Sequence, residues 1–264
     1  MNNVLHKSMA PPVFMNVGSA EAKYYSLCPV GEGHETYVIA EAGTNHNGRV
    51  NLAKALTRIA AKAGANAVKF QAFVPDEKLF CEIDGDKHRY KYWNETALTD
   101  DEWREVFVEA RLAGIHLILS IFQLGAVKFL EHAHAAKVAS RAVKTFPYHL
   151  TSLPLFISDG MITAAEREEM DTRLGQRPHV WMACVSAYPN SLGHALKPGW
   201  HQGLSDHSGT PWPVMAAIAQ GAYAVEVHFN SGTGRGRDAN CEVTHQQLCD
   251  ITAFRDACDE MGLP

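Results

Sequence analysis

Several patterns that announce common functions are missing from this chain. Its six cysteines (Cys28, Cys81, Cys184, Cys241, Cys249 and Cys258) form no C-x-x-C pair and no dense framework. A disulfide-stapled scaffold and a zinc ribbon are therefore not indicated, and a reduced, cytoplasmic setting is expected. No apolar run approaches the roughly 18 residues that a spanning helix needs, and the N-terminus lacks the apolar core of a signal peptide, so no membrane partner is expected. Basic residues are not in excess. The net charge is −5, which argues against nucleic acid as the main partner but leaves small anionic ligands open, because these respond to local charge. There is no P-loop, and the glycines of Gly232-Thr233-Gly234-Arg235-Gly236 do not open a helix closely enough for a dinucleotide fingerprint.

What is present is an ordinary globular composition, 46% hydrophobic and 20% charged over 264 residues. That length suits one (β/α)8 barrel, which typically takes about 250 residues. Residues 1–35 have weak periodicity and several prolines, and read as an arm with a short hairpin or strand placed to plug the barrel bottom. From Tyr37 short apolar runs alternate with helical segments, the signature of parallel β-α units. The expected strands are Tyr37–Ala42, Ala67–Phe73, His116–Phe122, Lys137–Ser140, Leu155–Ser158, Val180–Ser186, Gly203–Asp206 and Ala224–Phe229. Val50–Ala63 is an amphipathic helix. Thr99-Asp100-Asp101-Glu102 and Thr163-Ala164-Ala165-Glu166 read as capping boxes, Thr210-Pro211 as an N-cap with proline at the first helical position, and Thr244 to Met261 as the last helix. The connection from Arg141 to Ser152 is too short and proline-broken for a full helix. The fold class is thus α/β, a TIM barrel over residues 36–264 with an N-terminal arm and a shortened connection after strand 4.

Alternation along the strands sorts the polar residues. In Ala224–Phe229 the apolar Val225, Val227 and Phe229 suit the helix layer, which turns Glu226 and His228 inward. Lys69 and Gln71 face inward opposite Val68 and Phe70; Gly203, Ser205 and His207 share a face, as do Cys184, Ser186 and Tyr188. Glu41 faces opposite to Val38 and Ala40. These groups lie late in their strands, at the C-terminal mouth where barrel enzymes carry their chemistry. His207 and His228 end neighbouring strands and can reach one ion. Two imidazoles with open positions suit Mn²⁺ or Mg²⁺ better than a closed zinc site, although two satisfied barrel histidines are the plainer alternative. Lys69, inside an apolar strand, requires an anion, and a substrate phosphate or carboxylate is a natural one. Lys137 and Ser140 close the fourth strand, Ser140 with the opposite parity, so that a bent backbone is needed to bring it in. Asn45-His46-Asn47-Gly48 is either a turn and cap or a set of polar groups at the mouth beside Glu41. The loop carrying Arg235, Arg237 and Asp238 is either a basic surface loop or a lid.

Ile39-Ala40-Glu41-Ala42-Gly43-Thr44-Asn45-His46-Asn47-Gly48 and Ala63-Gly64-Ala65-Asn66-Ala67-Val68-Lys69-Phe70-Gln71 resemble the opening motifs of the N-acetylneuraminate (sialic acid) synthase family. Gly203-Leu204-Ser205-Asp206-His207, Glu226-Val227-His228-Phe229, the Cys184 to Pro189 segment and Gly236-Arg237-Asp238 are similar to its later ones. The resemblance implies a barrel that condenses phosphoenolpyruvate with the open-chain aldehyde of a sugar, giving a 2-keto-3-deoxy acid and phosphate. It implies His207 and His228 as metal ligands, with Lys69, Lys137, Ser140, Ser158, Ser186 and Ser205 on phosphoenolpyruvate. Glu41, Tyr188 and Asp238 fall to the acceptor, and Asn45, Gln71 and Ser120 join the substrate-binding set. A metal-dependent aldolase or lyase on a 2-keto acid and a non-catalytic ligand-binding barrel stay open beside it. The family's Lys-x-Gly-Ser-Gly-Glu is Lys137-Val138-Ala139-Ser140-Arg141-Ala142 here, without the glutamate. Its Ser-Thr-Pro-Phe is Ser120-Ile121-Phe122-Gln123, without the threonine, and its asparagine on the sixth strand is Ser186. No counterpart of its C-terminal antifreeze-like domain occurs in these residues, so Arg235 or Arg237 is expected to replace the arginine which that domain lends to the acceptor site, and a homodimer would use another surface.

Overall fold

Eight parallel strands close into a barrel in simple order, the last hydrogen-bonded to both the first and the seventh. The computed structural model describes residues 13–14, 29–192, 202–230, 232 and 238–263. The strands are β1 (Tyr37–Gly43), β2 (Ala67–Ala72), β3 (His116–Ile121), β4 (Ala135–Val138), β5 (Leu155–Ser158), β6 (His179–Cys184), β7 (Gly203–Asp206) and β8 (Ala224–Asn230). The described helices are α1 (Val50–Lys62), α2 (Tyr90–Thr96), α3 (Asp100–Ala113), α4 (Ala164–Leu174), α5 (Trp212–Ala219) and α6 (His245–Glu260). A 3-10 run, Leu124–His132, follows β3, and two short 3-10 turns, Ser140–Ala142 and Tyr148–Leu150, fill the shortened connection after β4. No described helix is long and apolar enough to cross a membrane.

The hydrophobic pattern explains the layering. Outward residues such as Val68, Phe70, Val225, Val227 and Phe229 join one large cluster with Leu56, Trp103 and Leu248 of the helices. Inside, Tyr37, Ile39, Ala67, Ile118, Ala135, Phe156, Val180, Met182 and Ala224 fill the lower barrel, with Val30 of the N-terminal segment packed beneath them. Val30 belongs to a two-residue strand, Pro29–Val30, paired antiparallel with Val13–Phe14. Moving two residues up each strand, the inward positions change character together: Ile39 to Glu41, Ala67 to Lys69, Ile118 to Ser120, Ala135 to Lys137, Phe156 to Ser158, Met182 to Cys184, Gly203 to Ser205 and Ala224 to Glu226. An apolar floor thus carries a polar storey.

Local signals place the helices. Thr99 and Thr163 cap α3 and α4 in capping boxes with Glu102 and Glu166, and Thr244 caps α6 with Gln247 in the same way, each side chain satisfying an N–H left open in the first turn. At α5 the expected arrangement shifts by one residue. Pro211, not Thr210, is the N-cap, because the Ser208 hydroxyl binds Asp206 and the Thr210 turn and extends the loop. β4 ends before Ser140, and the 3-10 turn there supplies the bend that carries Ser140 inward.

Candidate active site at the barrel mouth

A cavity of about 570 Å³ opens at the C-terminal end of the barrel. Glu41, Lys69, Gln71, Ser120, Lys137, Ser140, Ser158, Ser186, Tyr188, Ser205, His207, His228 and Asp238 all line it. Asn45 does not. Its amide donates to the Phe229 carbonyl and to Glu242, joining β1 to the end of β8. His46 likewise turns away, edge-on to Phe70 and Trp103 in the helix layer, so of this turn Thr44 lines the cavity and Asn45, expected in the substrate set, does not. Arg235 and Arg237 lie outside the described residues.

The deepest part of the site is a buried charge cluster. Lys69 Nζ lies 2.9 Å from Glu41 Oε2 and 3.7 Å from Glu226 Oε1, while Lys137 Nζ lies 3.0 Å from the same Glu226 oxygen. Ser205 Oγ donates to that oxygen at 2.9 Å, Lys69 donates to Ser120 Oγ at 3.3 Å, and Gln71 Nε2 donates to Glu41 Oε1 at 3.5 Å. Lys69, for which a substrate phosphate or carboxylate was a natural anion to expect, thus already faces two of the protein's own carboxylates. Glu226 is the residue that sequence reasoning left without a role. The signal was its place two residues before His228 on the inward face.

The two carboxylates are shifted in opposite directions. Burial pushes Glu41 above the ordinary carboxylate range, opposed by Lys69 and reinforced by the Glu226 charge. Burial acts on Glu226 too, but Lys137 and Lys69 outweigh it and keep that group ionised. For Lys69, burial is overcome by Glu226 and Glu41, and the ammonium stays charged. A β-bulge shapes the rim of this cluster: Glu41 pairs with Lys69 and Gly43 with Phe70, leaving Ala42 extra. Gly43 takes φ +53° there, a left-handed conformation that glycine adopts without strain.

The imidazoles of His207 and His228 sit with ring centres 5.3 Å apart, and the Tyr188 ring covers His207 at 4.0 Å. His207 Nδ1 donates to the Val185 carbonyl at 2.9 Å, which fixes the ring and leaves Nε2 as the nitrogen able to accept a bond. Burial, with the charges of His207 and Lys69, holds His228 far below the ordinary histidine range and so neutral at pH 7. At His207 burial also lowers the pKa but is outweighed by the Cys184 sulfur and the Val185 carbonyl, for a net rise. Two imidazoles on one divalent ion, with bonds of about 2.1 Å, have ring centres no more than about 6.5 Å apart, and this pair meets that limit. Another group of acidic and histidine ligand atoms, Asp100, Glu131 and His132, lies within 4.8 Å of one another, but at the start of α3 in the helix layer, where Arg104 already pairs with Asp100.

The departures noted in the sequence have visible consequences. Ala142 is fully buried and packs in the outer cluster, as does Ile121. Beside Ala142, Arg141 reaches the cavity wall, where its guanidinium grips Asp86 and the Cys81 carbonyl. The outer half of the cavity is formed by Leu79, Ile83, Arg89, Tyr92 and Trp93, from the β2–α2 segment and α2, a short helix that the periodicity did not reveal.

Comparison with known proteins agrees with this architecture. A curated relative, uncharacterized protein MJ1065 of Methanocaldococcus jannaschii, is 31% identical over 76% of this chain and 64% of its own length. The N,N'-diacetyllegionaminic acid synthase of Campylobacter jejuni is 29% identical over 81% of this chain and 73% of its own length. Human N-acetylneuraminate-9-phosphate synthase is 28% identical over 85% and 71%, respectively. The chain thus spans about two thirds to three quarters of these proteins. Among solved structures, the N-acetylneuraminic acid synthetase of Leptospira borgpetersenii superposes with a TM-score of 0.78 at 22% identity, covering 97% of this chain and 91% of that one, and so shares the fold. The NeuB family profile matches residues 56–262, and the chain belongs to the NeuB family.

Proposed function

We propose that this protein condenses phosphoenolpyruvate with the open-chain aldehyde of an N-acylated or related aldose, releasing phosphate and a 2-keto-3-deoxy acid of the nonulosonic type. The observation that carries this reading is the meeting, in one cavity, of two buried lysines and a ring of serine hydroxyls with a pair of imidazoles on adjacent strands. An enol phosphate presents a phosphate and a carboxylate, and Lys69 and Lys137 are placed to take them. Among the described residues Ser158 Oγ is buried without a hydrogen-bond partner, an unusual state for a buried hydroxyl that a polar ligand would relieve. Ser140, Ser186 and Ser205 complete the donor set. The names of the relatives, synthases of legionaminic, pseudaminic and N-acetylneuraminic-9-phosphate products, support the product class.

His207 and His228 would hold a divalent ion, Mn²⁺ or Mg²⁺, leaving coordination positions for oxygen ligands. When bound, such an ion supplies Lewis-acid polarisation of the aldehyde and orientation of a water. The chain's own residues do the rest. Lys69 and Lys137 fix the enol phosphate so that its C3 faces the aldehyde carbon, and fixed positioning removes much of the entropic barrier. As the C–C bond forms, C2 becomes electron-poor and adds water, and the C2–O bond to phosphate then breaks. Glu41, whose hold on a proton burial strengthens, is suited to pass a proton to the aldehyde oxygen as that becomes a hydroxyl and to recover one from the water that adds at C2. Tyr188 and Asp238 border the outer cavity, where the acceptor's hydroxyls would lie.

The test is phosphate release from phosphoenolpyruvate with Mn²⁺ and a panel of N-acylated and plain aldoses. Release that depends on the aldehyde supports the condensation. Pyruvate formed from a 2-keto acid, with no use of phosphoenolpyruvate, would show an aldolase or lyase instead. No turnover of either kind, with a ligand still bound, would leave a binding barrel.

A further inference from the structure

We infer that Glu226 is a resident anion, holding in the ligand-free cavity the donors that later receive a substrate oxyanion, and that substrate binds by exchange for it. The inference rests on the phosphoenolpyruvate reading above. Its basis is a convergence on a single atom. Lys137 Nζ at 3.0 Å, Ser205 Oγ at 2.9 Å and Lys69 Nζ at 3.7 Å all address Oε1 of Glu226, and all three residues belong to the set proposed to bind phosphoenolpyruvate. Among the described residues the second oxygen of Glu226 is buried without a hydrogen-bond partner, so the carboxylate is held through one oxygen.

The physical need is clear. Two ammonium groups on strands two apart in the barrel, 4% and 3% exposed, repel each other and lack solvent, so without an anion between them they would be driven out of position. Glu226 holds them close and aimed at one point. The same carboxylate then competes with phosphate for those donors and favours its departure after the reaction, since the lysines have an internal partner to return to. Glu226 is in this sense a positioning residue for binding and release.

The test is titration calorimetry of inorganic phosphate, and of phosphoenolpyruvate, with the wild-type protein and Glu226→Gln, which keeps shape and hydrogen bonding but removes the charge. Exchange requires the variant to bind phosphate about tenfold or more tightly, with product inhibition by phosphate strengthened to match. A merely structural role for Glu226 gives weaker binding. Equal or weaker binding in a folded variant overturns the exchange while leaving the phosphoenolpyruvate reading intact. A wild-type protein that binds neither ligand overturns both. Should Glu226→Gln not fold, a phosphate-bound crystal structure of the wild type decides. A Lys137–Glu226 contact opened beyond about 4 Å supports exchange, and one kept at 3.0 Å refutes it.

Discussion

Replacing Lys69 by methionine should separate what the charge cluster does for stability from what it does for chemistry. The Lys69 and Glu41 side chains are 5% and 1% exposed and their charges 2.9 Å apart, so neither partner has water to fall back on. Removing one member of a buried pair typically costs about 3–5 kcal/mol, because the other is left uncompensated. Glu41 has an escape. Burial already raises its pKa, and in Lys69→Met it would take up a proton, which places the cost near the lower end, about 3 kcal/mol. That escape has a pH signature. A carboxyl protonated in the native state and ionised in the unfolded state makes stability fall by about 1.4 kcal/mol for each pH unit above the unfolded pKa. Lys69→Met should therefore be worse at pH 8 than at pH 6, and its melting temperature at pH 7.5 should fall by roughly 6–12 °C. Lys69→Met/Glu41→Gln should regain about 2 kcal/mol and lose the added pH slope, yet be as inactive as the single variant. Urea unfolding at three pH values measures all of this. A single variant that costs under about 1 kcal/mol, or a double variant no more stable than the single, would show that the pair is not buried and coupled as described.

Other expectations are simpler to check. A Cβ at Gly160 would lie 2.6 Å from Ser186 Oγ and 2.9 Å from Ser140 Oγ, so Gly160→Ala should displace both hydroxyls and raise the KM for phosphoenolpyruvate about tenfold. Steady-state kinetics with saturating acceptor would show it. His46, His116 and His134 are buried, and desolvation pulls their pKa values to about 4, 4 and 3, respectively. Their unfolded values lie near 6.5, so the stability they contribute is complete above about pH 6.5 and is lost as pH falls toward 4. The loss is at most about 2 kcal/mol per histidine by pH 5, and His46→Phe should flatten a urea midpoint-against-pH plot by about one proton. Arg235→Ala and Arg237→Ala test whether the loop after β8 supplies a cation to the acceptor. At least one should raise the acceptor KM, and two wild-type values would refute the idea.

The barrel was legible because each strand repeats one rule, apolar outward and then a polar residue inward near the C-terminal end. That rule located Lys69, Gln71, Ser205, Glu226 and His228, since period-two alternation survives any error in strand boundaries. It failed where backbone departs from a strand. Asn45 and His46 occupy the turn after β1, where alternation no longer predicts direction, and both turn away from the mouth. Ser140 enters the cavity only through the 3-10 turn after β4. Lys69 was placed correctly but its pairing was not, because the register that sets Glu41 of β1 against it and the closure that brings Glu226 of β8 within 3.7 Å carry no local signature. α2 escaped notice for another reason. It has only seven residues, too few for a helical period to show, although Lys91 and Glu95 pair on its exposed face while Tyr92 lines the cavity and Trp93 stacks on Phe73.

The most direct measurement is a crystal structure with phosphoenolpyruvate and Mn²⁺, the ion located by anomalous scattering at the manganese edge. The account predicts manganese between the Nε2 atoms of His207 and His228, with the phosphate on Lys69 and Lys137. Manganese at Asp100, Glu131 and His132, or phosphoenolpyruvate outside the barrel mouth, would contradict it.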